Sequence, residues 1–504
     1  DITNMTWSNI LTYQTKIKKK HNLDLLAGYE INSKESDGLG TTISNFARWD
    51  KPEVNNGVVY QSMGGSNSTT RIVSYITRAN YDYDNKYYLG ASWRTDGSSR
   101  LARENRWGNF WSLSGAWRVS SESFMKPLQN WLSDLKLRVS YGVNGTLPSS
   151  YYGYMGLSSL TSNYNDNPGI TQSQLENKEL TWETNYNFNS GIDLGFFDNR
   201  LNVTFEYYVR TTKNLLYSRP LSLATGFSSY LANIGKLQNK GYELEIRSTN
   251  IETKDFRWST SLNLGHNANK ILKLDGDLKQ VTSGTSIHKV GLPYSTYYMI
   301  EFAGIDPVDG EPMFYKNTTD ENGNLNKETT KDPRSAEKVI LQCADPTITG
   351  GLGNSISYKW FDLNFNVNFS FGAWNYDGAA GKLEHGGDGT LNIPIYYRKR
   401  WQKEGDETSI ERFVVGRSIS MTDYATTRRL YSGDYVRLKN LTFGFTLPKT
   451  WTRKVGIDNI RLYASGNNLL TWAAYDYIDP ESGSSPSWDT PPMRTYTFGL
   501  EVKF

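Results

Sequence analysis

The amino-acid sequence predicts an all-β protein, a transmembrane antiparallel β-barrel of which about fifteen strands are visible. Three observations predict it. Apolar and polar residues alternate with a period of two, many alternating segments exceed ten residues, and the links between them alternate short and long. Strands of soluble proteins average about five or six residues, whereas a tilted membrane strand needs about 9–11. Barrels of the bacterial outer membrane place short turns on the periplasmic side and long loops outside.

The strands are read near 4–17, 20–31, 70–83, 86–97, 107–120, 134–144, 182–196 and 199–212, then near 239–250, 256–268, 347–358, 361–374, 433–447, 459–470 and 494–504. The cleanest sets Phe361, Leu363, Phe365, Val367, Phe369 and Phe371 against Asp362, Asn364, Asn366, Asn368 and Ser370. Successive strand side chains point to opposite faces, so this segment has one greasy face and one wet face. Short helical turns are read at 121–131 and near 394–403.

Short connections such as Lys18–His21, Asp84–Lys86, Phe197–Arg200 and Tyr358–Trp360 alternate with long ones at 32–69, 145–181, 213–238, 269–346, 375–432 and 471–493; the link 98–106 is the least extended of the long set. The basic run Lys18, Lys19, Lys20 reads as one of the tight turns. Parity makes the first strand descend from the outer surface. The expectation is that residues 1–504 are the C-terminal part of one barrel domain, with further strands upstream of Asp1.

Composition agrees with a barrel and excludes several classes. The hydrophobic fraction is 37%, the mean hydropathy is −0.60, and no run approaches the roughly 18 apolar residues of a membrane helix. Aromatic residues make up 14%, as interface girdles require, although a tyrosine-rich secreted sandwich or propeller shares that figure. A net charge of +3 with scattered Lys and Arg gives no nucleic-acid footprint. The lone Cys343 has no partner for a disulfide, and His21, His266, His288 and His385 show no metal-ligand spacing. No Ser/His/Asp, Cys/His or paired-carboxylate arrangement emerges, so the chain is not read as an enzyme and no cofactor is expected.

Several ordered stretches carry a family resemblance. They are Gly433-Asp-Tyr-Val-Arg-Leu-Lys-Asn-Leu-Thr-Phe-Gly-Phe-Thr-Leu-Pro448, Arg461-Leu-Tyr-Ala-Ser-Gly-Asn-Asn-Leu-Leu-Thr-Trp472 and Arg494-Thr-Tyr-Thr-Phe-Gly499. Upstream lie Asn199-Arg-Leu-Asn-Val-Thr-Phe-Glu-Tyr-Tyr208, Asn239-Lys-Gly-Tyr-Glu-Leu-Glu-Ile246 and Ala303-Gly-Ile-Asp-Pro307. Over most of residues 130–504 the chain resembles the SusC/RagA family of TonB-linked receptors of Bacteroidota. The resemblance implies a barrel of about twenty-two strands around an N-terminal plug. It also implies import of oligosaccharides or peptides, energised by TonB through the upstream region, with a SusD-like surface lipoprotein as lid. A passive porin, or a barrel serving as adhesin or secretion scaffold, is the other function class.

Three sets of side chains are candidates for function. Tyr496, Phe498, Leu500, Val502 and Phe504 share one face of the final strand and read as a barrel-assembly signal. Trp374, Tyr376, Trp401, Trp472, Tyr475, Tyr477 and Trp488 lie in or beside outer loops, where they are candidates for stacking on substrate or facing the lid, although interface girdling or loop packing explains most of them equally well. Asp306, Asp309 and Glu311 are weak oxygen-ligand metal candidates. Asp-Gly and Pro at that site are turn formers, so Asp306-Pro-Val-Asp-Gly-Glu-Pro312 is read as a turn, and Asp479-Pro-Glu-Ser-Gly483 likewise.

Overall fold

The computed structural model describes residues 1–504 apart from 166, 275, 277, 322, 388–391, 417–422, 476–477 and 483–491. Fifteen strands form one sheet in chain order. They are Ile2–Ile17, His21–Phe46, Gly57–Tyr83, Tyr87–Ser98, Trp107–Arg118, Leu132–Thr146, Glu183–Phe196, Leu201–Lys213, Lys236–Glu252, Phe256–Lys273, Ile348–Tyr358, Phe361–Phe371, Tyr435–Thr446, Asn459–Ala473 and Thr495–Lys503. Each corresponds to a strand expected from the alternation. No helix among the described residues is long and apolar enough to cross a membrane.

The chain divides into two compact units, residues 1–126, 136–191 and 208–238 in the first and 127–135, 192–207 and 239–504 in the second. In the first, the strands from Ile2 to Thr146 pair antiparallel with their sequence neighbours. The tight turns between them place Lys18, Lys19, Asp84 and Asn85 at positive φ, which lets a right-twisted hairpin close in three residues.

Two aromatic rows cross one face of this unit. Trp7, Tyr29, Tyr75 and Trp107 touch in sequence, with ring centroids 6.0, 5.1 and 6.2 Å apart. Nearer the turns, Tyr83, Tyr87 and Trp117 stack at 6.4 and 6.3 Å. Tyr75 and Tyr83 are separated by roughly 27 Å of strand, and a tilt of about 40° reduces this to roughly 20 Å. That spacing is close to the about 25 Å apolar band that aromatic girdles bound in membrane barrels.

In the second unit the pairing register extends the two-faced pattern across several strands. Leu352, Val367, Leu438 and Leu470 fall on one row, and Ile356, Leu363, Phe443, Ala464 and Phe498 on another. The wet face alternates with it. Ser355, Asn364, Thr442 and Ser465 share a row, as do Gly353, Asn366, Asn440 and Asn467. A bulge at Lys439 breaks the register between Leu438 and Asn440 on both sides. The extra residue bends the strand without moving either set to the other face.

The long connections 269–346 and 375–432, for which the alternation gives no strands, carry short elements of their own. Strands Gln280–Ser283, Ser286–Lys289, Thr296–Ile300 and Lys338–Cys343 form one small sheet, and Phe302–Ile305, Pro312–Tyr315 and Thr329–Thr330 another. The reading of 32–69 as a loop is corrected. Both barrel strands continue through it to a tip at 47–56. In the first unit Leu101, Phe110, Leu180 and Trp182 make a buried cluster that holds 98–106 and 145–181 together. The helical turns appear as 3-10 turns at Ser123–Leu128 and Ile395–Lys399.

Candidate functional site

The loops of the second unit build a polar, tyrosine-rich assembly. Strand Trp374–Tyr376 pairs with Leu430–Ser432, bringing the two ends of the 375–432 connection together. Asp377 follows directly and is buried; one carboxylate oxygen accepts from the Ala380 backbone N–H at 2.7 Å and so caps the short helix Gly378–Leu383. Its other oxygen accepts from the Tyr475 hydroxyl at 3.2 Å. The Tyr475 ring stacks on Tyr431 with centroids 3.7 Å apart. Burial, and then the Asp377 carboxylate, push the Tyr475 hydroxyl far above its ordinary range. It therefore stays a donor at any physiological pH.

Behind this pair lies a buried ion network. Glu411 is fully buried and accepts from the Tyr397 hydroxyl at 2.8 Å and from Arg428. Glu384 accepts from the Tyr396 hydroxyl at 2.5 Å and faces Arg428 at 3.6 Å and Arg429 at 3.3 Å. Burial alone would raise the Glu411 carboxyl, yet Arg428 and the Tyr397 hydroxyl hold it below the usual carboxylate range. Arg428 also lies over the Phe302 ring at 5.5 Å, and the Phe302 N–H donates to Thr427 Oγ1 at 2.9 Å. These contacts tie connection 375–432 to connection 269–346.

The Asp306–Glu311 segment is a turn, as read. The Gly310 N–H donates to the Asp306 carbonyl at 2.8 Å, and Gly310 takes φ +71° with the Trp401 ring against it. Its carboxylates hold side-chain cations. Lys331 Nζ reaches Asp306 and Asp309 at 2.7 Å each, and Arg412 reaches Glu311 at 2.6 Å. Among the described residues no group of three or more His, Cys, Asp or Glu is placed to hold a metal ion.

Asp479-Pro480-Glu481 is also a turn, and it does more than reverse the chain. Arg437, only 2% exposed, donates to Asp479 at 2.6 Å and to Thr471 Oγ1 at 3.0 Å, and its other terminal nitrogen lies 2.9 Å from Glu481. Lys439, the bulged residue, adds a bond to Glu481 at 2.7 Å. The latch pins part of the 471–493 connection to the barrel strand. Sequence reasoning missed Arg437, Arg428 and Glu411. The available signal was a lone arginine on the wet side of the Gly433–Pro448 stretch.

The proposed aromatic residues do not form one surface. Tyr376 and Tyr475 join the Asp377 assembly, Trp374 lies on its hairpin, and Trp401 packs apart, donating from Nε1 to the Pro307 carbonyl at 3.0 Å. Trp472 belongs to a barrel strand, opposite Val436 on the greasy face and 59% exposed, where it suits an interface girdle. Tyr477 and Trp488 lie outside the described residues. Tyr496, Phe498, Leu500 and Val502 pair with Gly466, Ala464, Leu462 and Ile460, and Phe504 follows the strand, 90% exposed. On the wet face, an open cleft of about 690 Å³ runs over Glu206, Glu243, Glu245, Asn263, Asn368 and Ser370.

Comparison with known proteins matches residues 2–469 to the family described as TonB dependent receptor-like, beta-barrel. TonB-dependent receptor P3 of Formosa agariphila is 34% identical over 100% of this chain and 52% of its own length. TonB-dependent receptor SusC of Bacteroides thetaiotaomicron is 30% identical over 86% of this chain and 44% of its own. A solved structure of the RagAB peptide transporter superposes with a TM-score of 0.86 at 28% identity, covering 100% of this chain and 56% of that one. The chain spans about half the length of the curated relatives it matches.

Proposed function

Because this chain belongs to the TonB-dependent receptor β-barrel family of the bacterial outer membrane, we propose that it is the barrel part of an importer that takes up nutrient oligomers, oligosaccharides or peptides, in a TonB-dependent step. The remaining strands, the plug and the TonB-contacting segment belong to the upstream region, and a SusD-like surface lipoprotein closes the outer mouth. No catalytic step is assigned to the chain. The carrying observation is the two-faced sheet beneath folded loops. A greasy register alternates with an asparagine-rich one across these strands, and on this reading the first faces lipid and the second the lumen. A barrel of the about twenty-two strands that the resemblance implies needs internal closure to exclude free diffusion.

The loop assembly supports a seat for a lid rather than a freely moving fringe. Buried ion pairs and hydroxyl–carboxylate bonds at Asp377, Glu384, Glu411 and Arg437 hold it. A preformed surface lowers the ordering cost of docking a partner. The peptide cargo named for RagAB, with the oligosaccharide or peptide import that the family resemblance implies, keeps both oligomer classes within the proposal. The experiment is uptake of a labelled oligomer by cells that carry the full-length receptor but lack TonB function. Uptake should fall to background; undiminished uptake with the barrel present would assign it to passive diffusion.

A further inference from the structure

Strands His21–Phe46 and Gly57–Tyr83 carry on past the upper aromatic row at Tyr29 and Tyr75. Seventeen residues separate Tyr29 from Phe46, roughly 56 Å of strand. The two strands pair with each other to the tip. On its other side, Gly57–Tyr83 is covered by strand Tyr87–Ser98 only as far as Ile72. Just above, the Arg71 carbonyl accepts from the Ser99 N–H at 2.9 Å, and the Thr69 N–H donates to the Tyr152 hydroxyl at 3.0 Å. Beyond that, among the described residues, no strand pairs with this side.

Thr69 and Arg71 turn their backbone groups to this side, so by alternation Asn67, Gly65 and Met63 do as well. The stretch Gly57-Val-Val-Tyr-Gln-Ser-Met-Gly-Gly-Ser-Asn-Ser68 has neither charge nor proline, two of the devices that blunt natural edge strands, and its register is regular from Ser62 to Ser68, with a bulge at Gln61 nearer the tip. Val58, Tyr60 and Met63 are 75%, 74% and 80% exposed. An alternating row of outward N–H and C=O groups is matched only by another extended backbone.

A second copy in the same membrane does not supply it. A two-fold axis along the membrane normal would set two such edges parallel, with like groups facing like at equal height. A lipid-anchored neighbour does supply it. Its chain must rise from the outer leaflet as an extended tether, while this strand descends from tip to membrane, so the two run antiparallel.

We propose that the edge Met63–Ser68, between the bulge at Gln61 and the Thr69–Tyr152 contact, pairs antiparallel with the extended, membrane-proximal tether of the lipid-anchored surface protein. The inference rests on the import reading for the existence of that partner. The test compares hydrogen exchange in the full-length receptor co-purified in mild detergent with its surface lipoprotein and in the same receptor stripped of it. The Gly65 and Asn67 amides should slow at least about tenfold in the complex. Met63→Pro, which removes an outward N–H without touching the hairpin's own ladder, should abolish the slowing, and Met63→Ala should keep it. Equal rates in an intact complex, or slowing that survives Met63→Pro, would overturn the strand pairing and leave the import reading standing. Slowing in the stripped receptor as its concentration rises would give the edge to a second copy and overturn the proposal. Failure of any lipoprotein to co-purify would overturn both.

Discussion

Asp362 and Arg461 sit on strands that are not neighbours, and they bond at 2.8 and 3.1 Å across the strand between them. The residue they cross is Gly444, paired directly with Asp362. A Cβ there would come within 2.2 Å of the Asp362 carboxylate and 2.7 Å of the guanidinium. The glycine is thus required by the bridge over it. Gly444→Ala should destabilise the folded barrel by about 1–2 kcal/mol, through a displaced charge-assisted pair. The measurement is the urea midpoint in lipid vesicles. If the bridge is the cause, adding Asp362→Ala to Gly444→Ala should cost little more than either alone. Fully additive losses would disconnect the glycine from the pair.

The facing of the sheet is tested one strand away. Phe365 shares its row with Leu441, and Asn366 shares the opposite face with Asn440. Phe365→Arg should cost roughly 2–4 kcal/mol near the membrane midplane, while Asn366→Arg should be tolerated. Similar losses in lipid refolding would reverse or dissolve the assignment of greasy and wet faces.

The strands were legible because each carries its own pattern: the six apolar residues from Phe361 to Phe371 need no distant information to declare a face. The folded loops were not. Thr296–Ile300 pairs with Lys338–Cys343 about forty residues away, and neither is long enough to show a period. Ion partners were hidden for the same reason. Nothing near Arg437 announces Asp479 and Glu481, more than forty residues on, so their segment read only as a turn. For Trp472 the sequence leaves girdle and loop readings open for a different reason: a girdle tryptophan and a loop tryptophan look alike until register puts it opposite Val436. The bulge at Lys439 also left no mark, since Leu438 and Leu441 fit either phase.

The Lys331 clamp has a defined pH window. Hydrogen bonds from Lys331 hold the Asp306 and Asp309 carboxyls below their ordinary range, and the two carboxylates hold Lys331 above its own. Depressed carboxyls contribute order that is complete above about pH 4 and is lost as pH falls through the lowered folded values. A raised lysine contributes order that is complete below about pH 10 and is lost as pH rises through its raised value. Pepsin cleavage within 306–331 should therefore increase between pH 4 and pH 2 in the parent protein. In Lys331→Met it should already be fast at pH 4. Identical profiles for the two proteins would show that the clamp does not order the turn.

Arg437 offers the sharpest separation of loop order from barrel stability. Its guanidinium is buried under the 471–493 connection and answered by Asp479, Glu481 and Thr471. Removing one member of a buried pair leaves the other uncompensated, at about 3–5 kcal/mol when nothing can rearrange. The members differ in what they can do. Asp479 and Glu481 lie on an outer connection, beyond its Tyr475 anchor on Asp377 and Tyr431, where their side chains can turn to water, whereas Arg437 is fixed in a strand. Arg437→Met should consequently release the connection at small cost to the barrel, with protease cutting between 474 and 482 at least about tenfold faster and the urea midpoint shifted by about 1 kcal/mol or less. The reverse change, Asp479→Asn with Glu481→Gln, strands the arginine and should cost the barrel more, about 2–3 kcal/mol. Equal midpoints for the two variants would mean that Arg437 reaches water or another acceptor once the latch is gone, and the connection would then be held by contacts other than these ion pairs.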